Sequence, residues 1–303
     1  MDNPTQGVLL ALASAFVFAF YMAPRKGSLL NDFQFPASMA LGILLTMALA
    51  TLLARQFILK PFPGQFHAFL GGLIWGTGTA AFAASVRIIG LARSTPIKDA
   101  SIVLGVLLGA IFFQEIPPSD KPLQFLAALL GSTLIVSAAL LLQLTLVPAS
   151  AQEKKLKSVG ISLALITCVA HALYLLPTRM SLALAPSVFA VLLNQSLGIL
   201  TVMFLPSILT GEVLNWFRQP LAAHSRAWLS GSLWASGQML LWFAIRKAGV
   251  AVPWGIAGLN NVMAIAYGIV VFKEIHVGRH RREVVLGLLS CLLGTFLLTI
   301  ARR

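Results

Sequence analysis

Apolar positions along this chain come in long unbroken runs, and polar residues collect in the short gaps between them. Each run is about 20 residues long, the length a helix needs to cross about 30 Å of hydrocarbon. The apolar-polar alternation of a membrane β-strand is absent from the runs. Inside lipid every backbone donor and acceptor must be satisfied within the chain, so helices remain. The pattern predicts an all-α membrane protein with ten transmembrane helices, at about residues 5–23, 35–54, 66–86, 96–114, 123–145, 159–177, 187–209, 227–245, 253–272 and 284–301. The first run lacks the basic flank of a secretory signal, and its counterpart recurs in mid-chain, so a retained helix is expected.

That recurrence extends through the chain. The stretch GVLLALASAFVFAFYMAPRK from Gly7 aligns without gaps on GISLALITCVAHALYLLPTR from Gly160, so that Tyr21 and Pro24 meet Tyr174 and Pro177. A second block holds one constant offset: Gly72, Trp75, Gly78, Arg87, Gly90, Gly109, Phe113 and Glu115 meet Gly231, Trp234, Gly237, Arg246, Gly249, Gly268, Phe272 and Glu274. Apolar composition alone aligns Leu with Ala; it does not bring Trp, Arg, Glu and Pro into register. The expected organisation is a first repeat over 1–150, a charged linker over 151–158 (AQEKKLKS) and a second repeat over 159–303. Five spans per repeat is an odd number, so the halves enter the membrane in opposite directions. Carriers use such inverted repeats to move access from one side to the other around a midplane site.

Composition agrees with the pattern. Of 303 residues 58% are hydrophobic and 10% charged, and the mean hydropathy is +0.88. A soluble domain would lack polar surface. A net charge of +13 would suggest nucleic acid in a soluble protein, but here the basic residues punctuate the gaps, where orientation is the better reason and membrane lipids the expected partners. Arg25, Lys26, Lys154, Lys155, Lys157, Arg279, Arg281 and Arg282 fall on one side of the predicted topology. The positive-inside rule makes that side cytoplasmic and puts both termini outside the cell (inner) membrane. Cys168 and Cys291 both fall inside apolar runs, which argues against a disulfide framework.

FYMAPRK, with Tyr21, Pro24 and Lys26, and FKEIHVGRHRREVVLG, with Lys273, Glu274, Arg281, Arg282 and Gly287, resemble motifs of the drug/metabolite transporter (EamA-type) superfamily. The likeness is nearest to its rhamnose and glucose/ribose porter branches. The resemblance implies ten helices in two repeats, a central cavity lined by spans one to four and six to nine, and uptake of a sugar coupled to protons. Export of an amino acid or amphipathic metabolite is the alternative within the superfamily. A monomer or homodimer is expected, without a cofactor.

An ionisable residue inside a span is costly and therefore a functional candidate. Among nine acidic residues only Asp99 begins inside a predicted span. Beside Lys98 it reads either as a proton-coupling carboxylate or as an acidic first turn following Pro96 at the helix start. The second repeat has Ala257 and Gly258 there. His171, opposite Phe18 of the first repeat, is a proton-relay candidate or a hydrogen-bonded packing residue. Asn194, Gln195, Asn260 and Asn261 lie near mid-span, where side-chain amides match hydroxyl groups as sugar recognition needs. Gln238, Trp242, Tyr21 and Tyr174 are candidates to complete a cavity. Glu115 and Glu274, shared by both halves, read as scaffold carboxylates that bond free amides of the following helix.

A membrane-embedded enzyme is the rival class. It would need clustered carboxylates or a His-acid set, and the sequence carries neither. His276 and His280 have four-residue spacing near Glu274 and Glu283, but Arg279, Arg281 and Arg282 would repel a metal ion. The chain has no phosphate-binding loop of the Gly-x-x-x-x-Gly-Lys-Ser/Thr kind.

Overall fold

The computed structural model describes residues 4–56, 62–101, 104, 120, 122–145, 150–248, 253 and 256–301. Among the described residues the regular structure is helical, without strands. The helices are α1 Pro4–Phe20, α2 Gln34–Leu53, α3 Gln65–Ile89, α4 Leu91–Asp99, α5 Pro122–Leu144, α6 Ala151–Leu173, α7 Leu175–Leu184, α8 Val188–Leu209, α9 Glu212–Arg218, α10 Leu221–Ala248, α11 Asn260–Val270 and α12 Arg281–Ala301. A 3-10 turn, Ala23–Arg25, follows α1. Among the described residues six stretches are long and apolar enough to cross a membrane, lying in α1, α2, α3, α5, α8 and the tandem α6–α7. Large apolar side chains such as Leu53, Phe66, Leu140, Leu209 and Phe296 are exposed on the outside of the bundle. In a bilayer that surface meets acyl chains rather than water.

Two prolines determine where the first and sixth of the predicted spans turn. Proline lacks an N–H, and its ring crowds the carbonyl four residues back. That residue is Phe20 for Pro24 and Leu173 for Pro177, and these are the last residues of α1 and α6. The chain turns at Tyr21 and Tyr174 in consequence.

The fourth and ninth spans depart from expectation. Helix α4 begins at Leu91, directly after Gly90 at φ +89°, rather than at Pro96, which lies inside it. The reading of Pro96 and Asp99 as helix-start residues is thereby overturned: Asp99 is the last residue of α4. The chain turns at Ala100 and is helical again at Ser101. In the ninth span the matching turn is at Gly258 and Leu259, so Asn260 and Asn261 open α11 instead of sitting mid-helix. The stretch 151–158 is not a loop but the first two turns of α6. Ser150 caps it by accepting the Glu153 N–H at 3.2 Å, a Ser-x-x-Glu start that suits a polar helix end.

Helices whose sequences align pack in a reciprocal pattern. Helix α1 packs on α10 and its sequence counterpart α6 packs on α3; α2 packs on α10 as α8 does on α3; α2 meets α8, and α5 meets α12. Ser14 Oγ donates to the Gly237 carbonyl at 2.8 Å, and Thr167 Oγ1 to the Gly78 carbonyl at 2.8 Å. Glycines permit the close approaches. A Cβ on Gly72 would strike the Gln195 carbonyl, and one on Gly198 the Phe69 carbonyl, so α3 and α8 touch backbone to backbone. The buried core at this centre includes Phe35, Met39, Ile43, Trp75, Phe82, Leu192, Ile199 and Trp234.

Candidate functional site

A cavity of about 120 Å³ opens where the four interrupted helices converge. That is far more than the ~10–15 Å³ that one water needs. The turns at Tyr21, Tyr174, Ala100 and Gly258 each bring side chains to it, because a helix end frees the chain to aim residues inward. Interrupted helices beside a central site are a recurrent carrier device.

Its walls are aromatic. Tyr21, Tyr174, Phe18, Trp75 and Trp234 line it, and the two tryptophans pack with ring centroids 4.0 Å apart, inclined by 32°. His171 stacks flat on Trp75 at 5.5 Å and shares a 3.0 Å hydrogen bond with Thr79 Oγ1 through Nε2. Polar groups enter asymmetrically. Lys98, Asp99, Gln238, Asn260 and Asn261 all line the space. Lys98 Nζ is 2.5 Å from Asp99 Oδ1, and the ammonium also lies 5.3 Å from the centre of the Phe82 ring.

Several polar atoms of these side chains have no protein partner. Asp99 Oδ2, Gln238 Nε2 and both amide atoms of Asn261 are buried and unbonded. Unpaired polar atoms in a dry interior cost of order 1–3 kcal/mol each, and these four atoms converge on one cavity. Among the described residues the charged side chains lining the cavity are Lys98 and Asp99, which neutralise one another.

Three sequence candidates stand elsewhere. Asn194 Nδ2 donates to the Ala190 carbonyl at 2.9 Å and faces a separate recess beside Phe66 and Phe69. Gln195 is buried in α8 where it meets α3, and Trp242 packs against the main core. Conversely, Trp75, Trp234 and Phe18 line the cavity although none of them is a candidate by sequence. The signal that pointed to the tryptophans was their coincidence at one offset in both halves.

Glu274 also differs from expectation. Its carboxylate does bond free helix amides, but those of Leu91 and Ala92 at the start of α4, in the other half of the chain, not those of the helix that follows it. Glu115 lies outside the described residues. The same end of the molecule carries Arg25, bridging the Leu30 carbonyl at 2.8 Å and Asp32, while Arg87 binds the other oxygen of Asp32.

Comparison with known proteins agrees with this architecture. A solved crystal structure 14% identical in sequence covers 99% of this chain and 99% of its own, with a TM-score of 0.65, and so shares the fold. Glucose uptake protein GlcU of Bacillus subtilis (strain 168) is 24% identical over 241 residues, 77% of each chain. Probable glucose uptake protein GlcU of Priestia megaterium is 25% identical over 244 residues, 77% of this chain and 78% of its own. A relative from Streptococcus agalactiae serotype V is 24% identical over 301 residues, 98% of this chain and 99% of its own. The profile of the sugar transport protein family matches residues 35–301, and this chain belongs to that family of membrane transporters.

Proposed function

We propose that the chain takes up a small, uncharged, polyhydroxylated solute, a sugar such as glucose, by alternating access to the central cavity. The observation that carries the reading is the set of unpartnered polar atoms on Asp99, Gln238 and Asn261 inside aromatic walls. Hydroxyl groups both donate and accept, and so match a carboxylate oxygen and side-chain amides at once. Aromatic faces suit the apolar C–H surface of a sugar ring. A charged solute would enter a site whose own charges already cancel, and its desolvation would go uncompensated.

The frame of the reading is ten membrane helices in two inverted five-helix repeats, 1–150 and 159–303, of the EamA-type drug/metabolite superfamily. The reciprocal packing and the paired Ser14–Gly237 and Thr167–Gly78 bonds support it. In this frame the chain sits in the inner membrane with both termini outside. Asp99, paired with Lys98, is the proton-coupling group, and His171 the secondary candidate. Export of a zwitterionic amino acid is the second reading; such a solute would exchange partners with Lys98 and Asp99.

Purified protein in proteoliposomes, offered a labelled sugar panel with and without an inward proton gradient, tests both. Saturable uptake that rises with the gradient supports symport. Uptake indifferent to the gradient leaves a facilitator. No sugar uptake after verified reconstitution sinks the sugar reading and puts export first.

A further inference from the structure

Glu274 gathers three segments that are distant in sequence. Oε1 accepts the Leu91 N–H at 2.9 Å and lies 3.0 Å from Lys26 Nζ, while Oε2 accepts the Ala92 N–H at 2.8 Å. The carboxylate is almost wholly enclosed, with its side chain 5% exposed. Two glycines make the recess. A Cβ on Gly90 would stand 2.7 Å from Oε2, and one on Gly268 would stand 3.0 Å from it. Gly90 also holds φ +89°, a conformation that side chains resist.

The position matters because of what lies at the other ends of these helices. Helix α4 starts at this carboxylate and ends at Lys98 and Asp99 in the cavity. Helix α11 starts at Asn260 and Asn261 in the cavity and ends just before Glu274. One side chain therefore ties the outer ends of two helices whose inner ends line the site. Its two amide bonds anchor it to α4. The ammonium is the detachable partner: Lys26 is 30% exposed and sits on a flexible stem, so water can replace the carboxylate. Other contacts lace the same end of the molecule. Arg226 donates to the Lys26 carbonyl at 3.1 Å, and Asn31 and Gln34 both donate to Glu212 Oε2 at 3.1 Å.

We propose that the Lys26–Glu274 ion pair is the closing contact of the cavity on this face, and that its separation admits solute from this side. The proposal rests on the transport reading above. In sequence, Arg179 stands where the second half matches Lys26, and Glu115 where the first half matches Glu274; Glu115 lies outside the described residues. A basic residue and a glutamate repeated at these offsets are what a carrier with inverted halves would require for closing each face in turn.

The test is sidedness of access to the cavity, read without any solute. A Ser101→Cys probe at the cavity wall, in a Cys168→Ala/Cys291→Ala background, is labelled by a membrane-impermeant maleimide in vesicles of either orientation. Lys26→Met leaves the amide bonds of Glu274 in place and is expected to raise labelling from the Lys26 face at least tenfold. Glu274→Gln should do the same, and Lys26→Arg should label at the parental rate. Unchanged labelling from that face in folded Lys26→Met protein overturns the proposal, and marks Glu274 as a helix cap alone. Because no sugar enters the assay, a failure of the sugar reading leaves these rates untouched and is recognised separately by uptake.

Discussion

Trp75 and Trp234 occupy matched positions in the two halves and touch each other, ring centroid to ring centroid at 4.0 Å, in the wall of the cavity. The contact joins α3 to α10, and each of these helices also carries the glycines that admit its neighbours. Both indoles are buried, at 3% and 4% exposure. Replacing either by Ala opens a void that the surrounding backbone contacts cannot collapse to fill. The expected cost is about 3–5 kcal/mol, seen as a lowered midpoint of thermal unfolding in detergent. Trp75→Phe, which keeps a ring against Trp234 and His171, should lose markedly less. Equal losses for Ala and Phe would show that the pair does not pack as described.

Asn261 and Gln238 present polar atoms to the cavity without protein partners. Neither amide atom of Asn261 has a protein partner, so Asn261→Ala should melt at or above the parental temperature, whereas Gln238→Ala also gives up a side-chain bond to Tyr174 and should melt lower. A bound sugar would lose one hydrogen bond in each variant, about 0.5–1.5 kcal/mol. The KM for uptake should therefore rise by roughly 2–10-fold. Destabilisation of Asn261→Ala without a change in KM would mean that this amide bonds to protein rather than to solute.

Asp99 and Lys98 stand or fall together. Asp99→Asn leaves the Lys98 ammonium buried without its counter-charge, and breaking such a pair is expected to cost about 3–5 kcal/mol. Adding Lys98→Met should recover much of that loss, which unfolding of the single and double variants would measure. In transport, Asp99→Asn is expected to abolish accumulation driven by a proton gradient while solute exchange at equal concentrations continues. Accumulation that survives the substitution would remove Asp99 from coupling.

His171 offers a comparison that the molecule itself supplies, since Phe18 stands at the same place in the first half. His171→Phe keeps a flat ring for stacking on Trp75 and gives up only the bond to Thr79. The expected result is a stability loss of about 1–3 kcal/mol, because the buried Thr79 hydroxyl loses its partner, and gradient-driven uptake that persists. Uptake that continues but no longer responds to the gradient would transfer the coupling role from Asp99 to this imidazole.

The positions of the candidate residues separate what is local from what is not. Proline chemistry reaches four residues, so the turns at Tyr21 and Tyr174 follow from Pro24 and Pro177 in the sequence. The start of α4 at Leu91 does not. It depends on a cap contributed by Glu274, from far along the chain, and without that cap in view Pro96 looks like the natural first residue. Asn194 and Asn261 look equivalent as mid-span amides. In the fold one donates to its own helix four residues back, and the other is left unbonded at a helix start beside the cavity.

The sequence by itself determined the membrane class, the positions of most apolar runs and the in-register matches between distant stretches. The physical reason is that lipid imposes a length and a polarity on every span, and that residues in register need no coordinates to be compared. Tertiary structure alone decided which polar groups meet. Neighbouring residues on a helix point about 100° apart, and only the packing of α4, α6, α10 and α11 around one point chose the faces. It also decided that Glu274 would tie Lys26 to α4, because such a contact joins chain segments that no local rule connects.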